Sequence, residues 1–167
     1  DRVDKVLQKI DENDLKTRPQ KDNLRGWKSS YKWAKEFVYG IEKDYRLAKT
    51  TKVATFLNGD GDANIICANG LDSFSSNKYV GKLNSKEHSQ DNPVFDIVVA
   101  NPPYSVSDFK LLLQNANLDF SIAERMTDNS DDIECLFIER TKQLLKCGGR
   151  AGIVLPSTIL LNASHYL

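Results

Sequence analysis

The stretch FDIVVANPPYSVSDF, Phe95 to Phe109, carries an apolar run into an asparagine, two prolines and a tyrosine, then turns polar without a glycine. A run that is apolar nearly throughout predicts a strand buried on both faces of a parallel sheet. Two consecutive prolines fix two φ angles and push the residue before each of them into an extended conformation. The Asn101 amide and the Pro102 carbonyl are therefore held with little freedom to relax, and neither proline has an N–H to donate. The result is a rigid pair of acceptors beside the Tyr104 ring, suited to gripping an amino group on a flat heterocycle. Such an amine is a poor nucleophile because its lone pair is delocalised into the ring. Accepting both of its N–H bonds favours a more tetrahedral nitrogen whose lone pair can attack, so no histidine or cysteine nucleophile is needed.

Working outward, the chain alternates strands and helices. FVYGIEKD, Phe37 to Asp44, is a short β-branched and aromatic run ending in acids. It precedes YRLAKTTKVATFLNG, in which Leu47, Val53, Ala54 and Leu57 recur at helical intervals and Gly59 is the expected stop. ANIICANGL predicts a second strand, and the polar tract from Ser73 to Asn92 a long loop. The third strand is VFDIVVA. DIECLFIERTKQLLKCGG then predicts a helix with Ile133, Leu136, Phe137, Leu144 and Leu145 inward, ended by Gly148 and Gly149, and RAGIVLP a fourth strand stopped by Pro156. Upstream, residues 2 to 11 place Val3, Val6, Leu7 and Ile10 at helical spacing. Residues 12 to 26, with Pro19 and Gly26, read as a loop, and WKSSYKWAKEF reads as a second helix with Trp27, Tyr31 and Ala34 on one face. This order predicts an α/β fold with a doubly wound sheet. Ligands of open parallel sheets collect beyond the carboxyl ends of the strands. Each strand here ends near a polar residue suited to that edge: Glu42, Asn69, Asn101 and Ser157.

Composition narrows the classes. The 167 residues include 23 Lys plus Arg and 23 Asp plus Glu, so no global basic field advertises a polyanionic partner, and any nucleic-acid contact must be local. Cys67, Cys135 and Cys147 are far apart, with only His88 and His165 to complete a metal site, so they are expected to be reduced, mostly packing residues and no metal is expected. The apolar runs are too short for a transmembrane helix, which predicts a soluble, cytoplasmic protein. NGDGDAN, Asn58 to Asn64, fails as a calcium loop, because Ile65 stands where that loop needs glycine and Leu71 where it needs a bidentate glutamate.

Asn101-Pro102-Pro103-Tyr104 at the end of an apolar strand resembles the catalytic motif of DNA methyltransferases that act on the amino group of adenine. The segment FVYGIEKDYRLAKTTKVATFLNGDGDANIICANGLDSF is similar to the region following the cofactor-binding glycine motif in modification subunits of type I restriction systems and related fused restriction-modification enzymes. FIERTKQLLKCGGRAGIVLPSTIL resembles the helix and strand that follow the catalytic motif there. The resemblance covers roughly residues 37 to 161. It implies a Rossmann-like fold, S-adenosylmethionine as methyl donor, and a target adenine flipped out of double-stranded DNA. A specificity subunit and a restriction subunit are the partners it implies.

The resemblance assigns Glu42 to the two ribose hydroxyls of the cofactor, as a carboxylate accepting two hydrogen bonds would. Asn69 matches the position where the family commonly has an aspartate that accepts from the cofactor's adenine amine, and an amide oxygen accepts there more weakly. Leu71 and Pro103 are expected to flank the adenine ring. Against these stand plainer readings: Glu42 as an acid at a helix start, Asn69 as a turn former. No glycine motif precedes Phe37, and the chain is expected to be an internal fragment, with residues 1–36 a helical lead-in and residues 37–167 a partial catalytic core lacking its first strand. Such a fragment is expected to bind S-adenosylmethionine poorly and to self-associate through unpaired strand edges. Rival functions use the same motif on a glutamine side chain or an RNA base, or keep the fold as a non-catalytic, DNA-associated domain.

Overall fold

A computed structural model describes residues 2–30, 32–59, 64–79, 83, 95–104, 106, 120–126 and 132–162. The chain divides into two compact units, residues 1–67 and 68–167. The expected boundary after residue 36 lies inside the first unit.

In the first unit, helix α1 (Arg2–Lys9) packs on α2 (Arg18–Ser29), with a 3-10 turn at Glu12–Asp14 between them. Part of the expected loop is therefore helical. The cause is local: Thr17 is the N-cap of α2, its hydroxyl accepts from Gln20 N, and the Gln20 side chain accepts from Thr17 N at 3.1 Å. Pro19 sits in the first turn, where a missing N–H costs nothing. Arg25 reaches back to Glu12, with Nε donating to Oε2 at 3.0 Å, and Lys28 Nζ donates to Ile10 O at 2.8 Å, closing α2 onto the preceding turn. The second expected helix is broken: α2 ends at Ser29, and α3 (Lys32–Phe37) follows, with Trp27 and Phe37 in edge-to-face contact at 5.6 Å.

Strand β1 (Tyr39–Glu42), helix α4 (Tyr45–Leu57) and strand β2 (Asn64–Cys67) form a parallel strand–helix–strand unit, in register from Tyr39 opposite Asn64 to Glu42 opposite Cys67. Asp44 caps α4, its carboxylate accepting from Arg46 N and Leu47 N at 2.8 and 3.1 Å. The helix turns a different stripe inward from the one expected. Ala48 is buried and Thr55 half-buried, whereas Leu47, Val53 and Leu57 are exposed. Ala48 and Thr55 are seven residues apart and share a face, so α4 is rotated by roughly one residue, about 100°, from the expected orientation.

In the second unit, β3 (Phe95–Ala100) pairs in parallel with β4 (Leu145–Ile153), and α5 (Ile133–Leu144) packs on both. Helix α6 (Ser157–Asn162) follows β4. Among the described residues the strands thus make two parallel two-stranded sheets, β1 with β2 and β3 with β4. Helix α5 ends at Leu144, before the expected glycine stop. The pairing runs Phe95 to Leu145 and then Ile97 to Arg150, so the residues between Leu145 and Arg150 bulge out of the ladder. Gly148 takes φ 80° there, and a Cβ on Gly149 would stand 3.1 Å from Phe95 O. The two glycines let the chain leave the helix and enter the sheet almost at once.

Strand β3 is not buried on both faces. Ile97 and Val99, two residues apart on one face, are 68% and 82% exposed. Helix α5 lies against the β3–β4 pair, and these two side chains point away from the core. The core is a cluster of Leu71, Phe120, Ala123, Met126, Ile133, Cys135, Leu136 and Ile159, with Val106, Ile122 and Phe137 against it. Of the cysteines expected mostly to pack, only Cys135 does, since Cys67 and Cys147 are exposed. Among the described residues no helix is long and apolar enough to cross a membrane.

Candidate active site

The end of β3 is held from the side. Val154 N donates to Ala100 O at 3.0 Å, so the last carbonyl of the strand is engaged just before Asn101. Pro102 is then buried, while Asn101, Pro103 and Tyr104 are exposed, Tyr104 at 44%. One proline anchors the motif in the protein, and the amide and the ring stand at the surface on either side of it. The Tyr104 hydroxyl donates to Asn101 Oδ1 at 3.3 Å. The amide is thus turned so that its oxygen already meets a donor, the polarity an incoming amino group would present.

The exit of β2 is a closed turn. Asn69 O accepts from Asp72 N at 2.9 Å and from the Tyr79 hydroxyl at 2.6 Å, and Asn69 Oδ1 accepts from Leu71 N at 3.2 Å. Asn69 is therefore a turn former here, whatever else its amide does. Leu71, expected to flank a ring, is 2% exposed and belongs to the core. Gly70 lies so close to Phe137 that a Cβ would come within 3.1 Å of Cε1.

Leu71, Val106 and Ile159, which follow β2, β3 and β4 respectively, meet in that one cluster. The structure thus gathers the segments leaving three strands around a shared apolar centre, with Asn69 two residues before it and Tyr104 two residues before Val106. Ser157 is exposed at the start of α6. Glu42 belongs to the other unit. It is half-buried at the end of β1, and its Oε1 accepts from Asp44 N at 2.8 Å, which ties the carboxylate to the cap of α4.

Three residues that sequence reasoning did not select hold this region. Arg140 on α5 is 4% exposed, and its guanidinium carbon lies 4.3 Å from the Phe74 ring centroid and 4.7 Å from that of Phe120. Its Nη2 donates to Asp72 O at 3.0 Å and reaches Leu71 O at 3.5 Å. The neighbouring Glu139 accepts from Ser121 N and Ser121 Oγ, both at 2.7 Å, and from Ile122 N at 3.2 Å. Tyr79 is 1% exposed, and burial pushes its hydroxyl pKa up to about 12, with the Asp72 charge adding to the rise and Arg140 opposing it. Burial likewise raises the Cys135 thiol to about 11, helped by Asp132 and Glu134. A usable signal for Arg140 was its position: it falls four residues after Leu136 and seven after Ile133, on the stripe of α5 expected to face inward.

The sequence pattern described as the Eco57I restriction-modification methylase matches residues 5–167. The chain belongs to this family. Among curated proteins it is similar to a family relative from Escherichia coli, the type II restriction enzyme and methyltransferase RM.Eco57I. The two are 31% identical over 145 residues, covering 74% of this chain and 14% of that protein. The chain therefore spans 14% of the length of the relative it matches. Membership of the Eco57I family meets the expectation of a restriction-modification methyltransferase, and the match includes β3 and the Asn101–Tyr104 motif within its bounds.

Proposed function

We propose that this chain forms part of the catalytic core of an enzyme that methylates the N6 amino group of adenine in double-stranded DNA. The observation that carries the reading is the Asn101–Tyr104 segment: an exposed amide oxygen and an exposed aromatic ring, fixed by the buried Pro102 at the carboxyl end of a parallel strand. The family supports it, and so does the relative's description as both restriction enzyme and methyltransferase. The parallel strand–helix–strand arrangement found in each part of the chain is in keeping with a Rossmann-like fold for the complete core.

The residues present fit S-adenosylmethionine at its polar ends. Glu42 spends one oxygen on Asp44 N, and a carboxylate has acceptor capacity left for a ribose diol. Asn69 closes the turn that follows β2, which the family reading gives to the adenine of the cofactor, with Leu71 a buried member of that turn and Pro103 exposed beside the catalytic amide. When bound, S-adenosylmethionine would supply the methyl group as an electrophile on a positively charged sulfur, which takes the electron pair of the broken sulfur–methyl bond and leaves as a neutral thioether. Asn101 Oδ1 and the Pro102 carbonyl accept the two N–H bonds of the target amine, and Tyr104 stacks on the flipped base. Accepting both hydrogens frees the nitrogen lone pair for attack, and the surplus proton leaves to water. The partner is duplex DNA, and restriction and specificity functions belong to other parts of the same polypeptide or to separate subunits.

The test is methyl transfer by the full-length enzyme from labelled S-adenosylmethionine, followed by nucleoside analysis. Labelled N6-methyladenine in duplex DNA, lost in Asn101→Ala, is the expected result. Transfer to cytosine, to RNA or to a glutamine peptide instead would overturn the substrate, and intact transfer in Asn101→Ala would overturn the site.

A further inference from the structure

We infer that Arg140, together with Tyr79, is a positioning residue for the cofactor, locking the turn Asn69–Asp72 in the shape that receives its adenine end. This rests on the methyl-donor reading above.

A turn that leaves a buried strand must satisfy its own backbone groups, and water ordinarily does this at a surface. Here the protein does it. Asn69 O accepts from Asp72 N and from the Tyr79 hydroxyl, Asn69 Oδ1 from Leu71 N, and the carbonyls of Asp72 and Leu71 face Arg140 Nη2. Tyr79 and Arg140 are both nearly inaccessible to water, and the Phe74 ring lies 4.3 Å from the guanidinium and 6.1 Å from the Tyr79 ring. Arginine suits this place because its planar cation can lie on aromatic faces while its edge donates to carbonyls, which a lysine ammonium does less well. A fully buried guanidinium is costly, and core packing alone would be served as well by a leucine or methionine on the same stripe of α5. The charge has a directional job: it fixes main-chain carbonyls four and five residues beyond the end of β2. The turn is therefore set before any ligand arrives, and the ordering that ligand binding would otherwise require is already done.

The experiment uses the full-length enzyme with three variants, read by calorimetric titration with S-adenosylmethionine and by hydrogen exchange over residues 69–76. Arg140→Met keeps length and apolar character and removes the donors. Tyr79→Phe removes one hydroxyl and keeps the ring, so it reports even if Arg140→Met folds poorly. Leu24→Ala, in the buried core of the other unit, matches a loss of stability without touching the turn. For Arg140→Met we expect faster exchange at 69–76 and an affinity about tenfold weaker, with kcat at saturating cofactor nearly unchanged. Tyr79→Phe should move affinity and exchange the same way to a smaller extent, and Leu24→Ala neither. Unchanged affinity in both turn variants despite faster exchange would overturn the positioning role, as would an equal loss in Leu24→Ala. Failure of the unmodified enzyme to bind S-adenosylmethionine would instead overturn the reading of the site on which the inference stands.

Discussion

The Tyr104 hydroxyl and Asn101 Oδ1 are joined by a 3.3 Å hydrogen bond across the two prolines of the motif. In the proposed reaction an amino hydrogen of the target base takes over the oxygen that Tyr104 holds in this structure. Asn101→Ala should lower methyl transfer about 100- to 1000-fold, the usual cost of one preorganised polar contact at a transition state, and leave cofactor affinity intact. Steady-state kinetics beside calorimetric titration separate the two. Tyr104→Phe keeps the ring and loses only the orienting bond, so its effect should be small. Tyr104→Ala should weaken the hold on the flipped base by roughly 1 to 3 kcal/mol, read by a fluorescent base analogue at the target position.

Glu42 is tied by Oε1 to Asp44 N, and Asp44 in turn caps α4. Replacing the carboxylate by an amide leaves one acceptor oxygen for two tasks, so Glu42→Gln should weaken S-adenosylmethionine binding in the full-length enzyme more than Glu42→Asp does. Calorimetry showing the reverse order, or no change in either variant, would reduce Glu42 to a residue at a helix start.

Much of the chain's order was legible because it rests on local chemistry. The order of both strand–helix–strand units follows the apolar runs, and Glu42 does end β1. Strand β4, however, starts at Leu145, five residues before the expected RAGIVLP, and ends at Ile153, before Pro156. What escaped was of two kinds. Pro19 was read as a breaker because proline breaks helices from within, yet with Thr17 before it and Gln20 after it the same residue starts one. The burial of β3 failed for a non-local reason: its residues are apolar on both faces, but which face is covered depends on what packs there, and the strand does not encode that. At the site, the motif could be read from its own four residues, whereas the Arg140–Tyr79 frame joins side chains 61 positions apart, a separation no spacing rule spans.

The Tyr79 hydroxyl offers a pH signature. Its pKa is raised from 10.0 to about 12 in the folded chain, so the folded state holds the proton more tightly than the unfolded state. The stabilisation is fully present below pH 10 and is lost as pH rises through about 12. Spectrophotometric titration should show a tyrosine phase near pH 12, and Tyr79→Phe should remove that phase. The variant's denaturant midpoint should also fall less steeply than the parent's between pH 10 and pH 12. An unchanged late phase in Tyr79→Phe would place the burial elsewhere.

The open face of β3 carries the last prediction. Ile97 and Val99 stand side by side on it, mostly in water, on a strand whose apolar composition suits burial. Burying such side chains is worth about 1.5 to 3 kcal/mol each, so a covering surface has a strong claim on them. Residues 1–167 prepared alone should therefore self-associate, with a second copy as the cover, and the sedimentation coefficient should rise with concentration. Replacing both residues by threonine keeps the β-branched shape that holds the strand and removes much of the apolar gain. That double variant should sediment as a monomer at concentrations where the parent does not. A parent that stays monomeric throughout, or a double variant that associates as strongly, would show that this face is not what drives chains together.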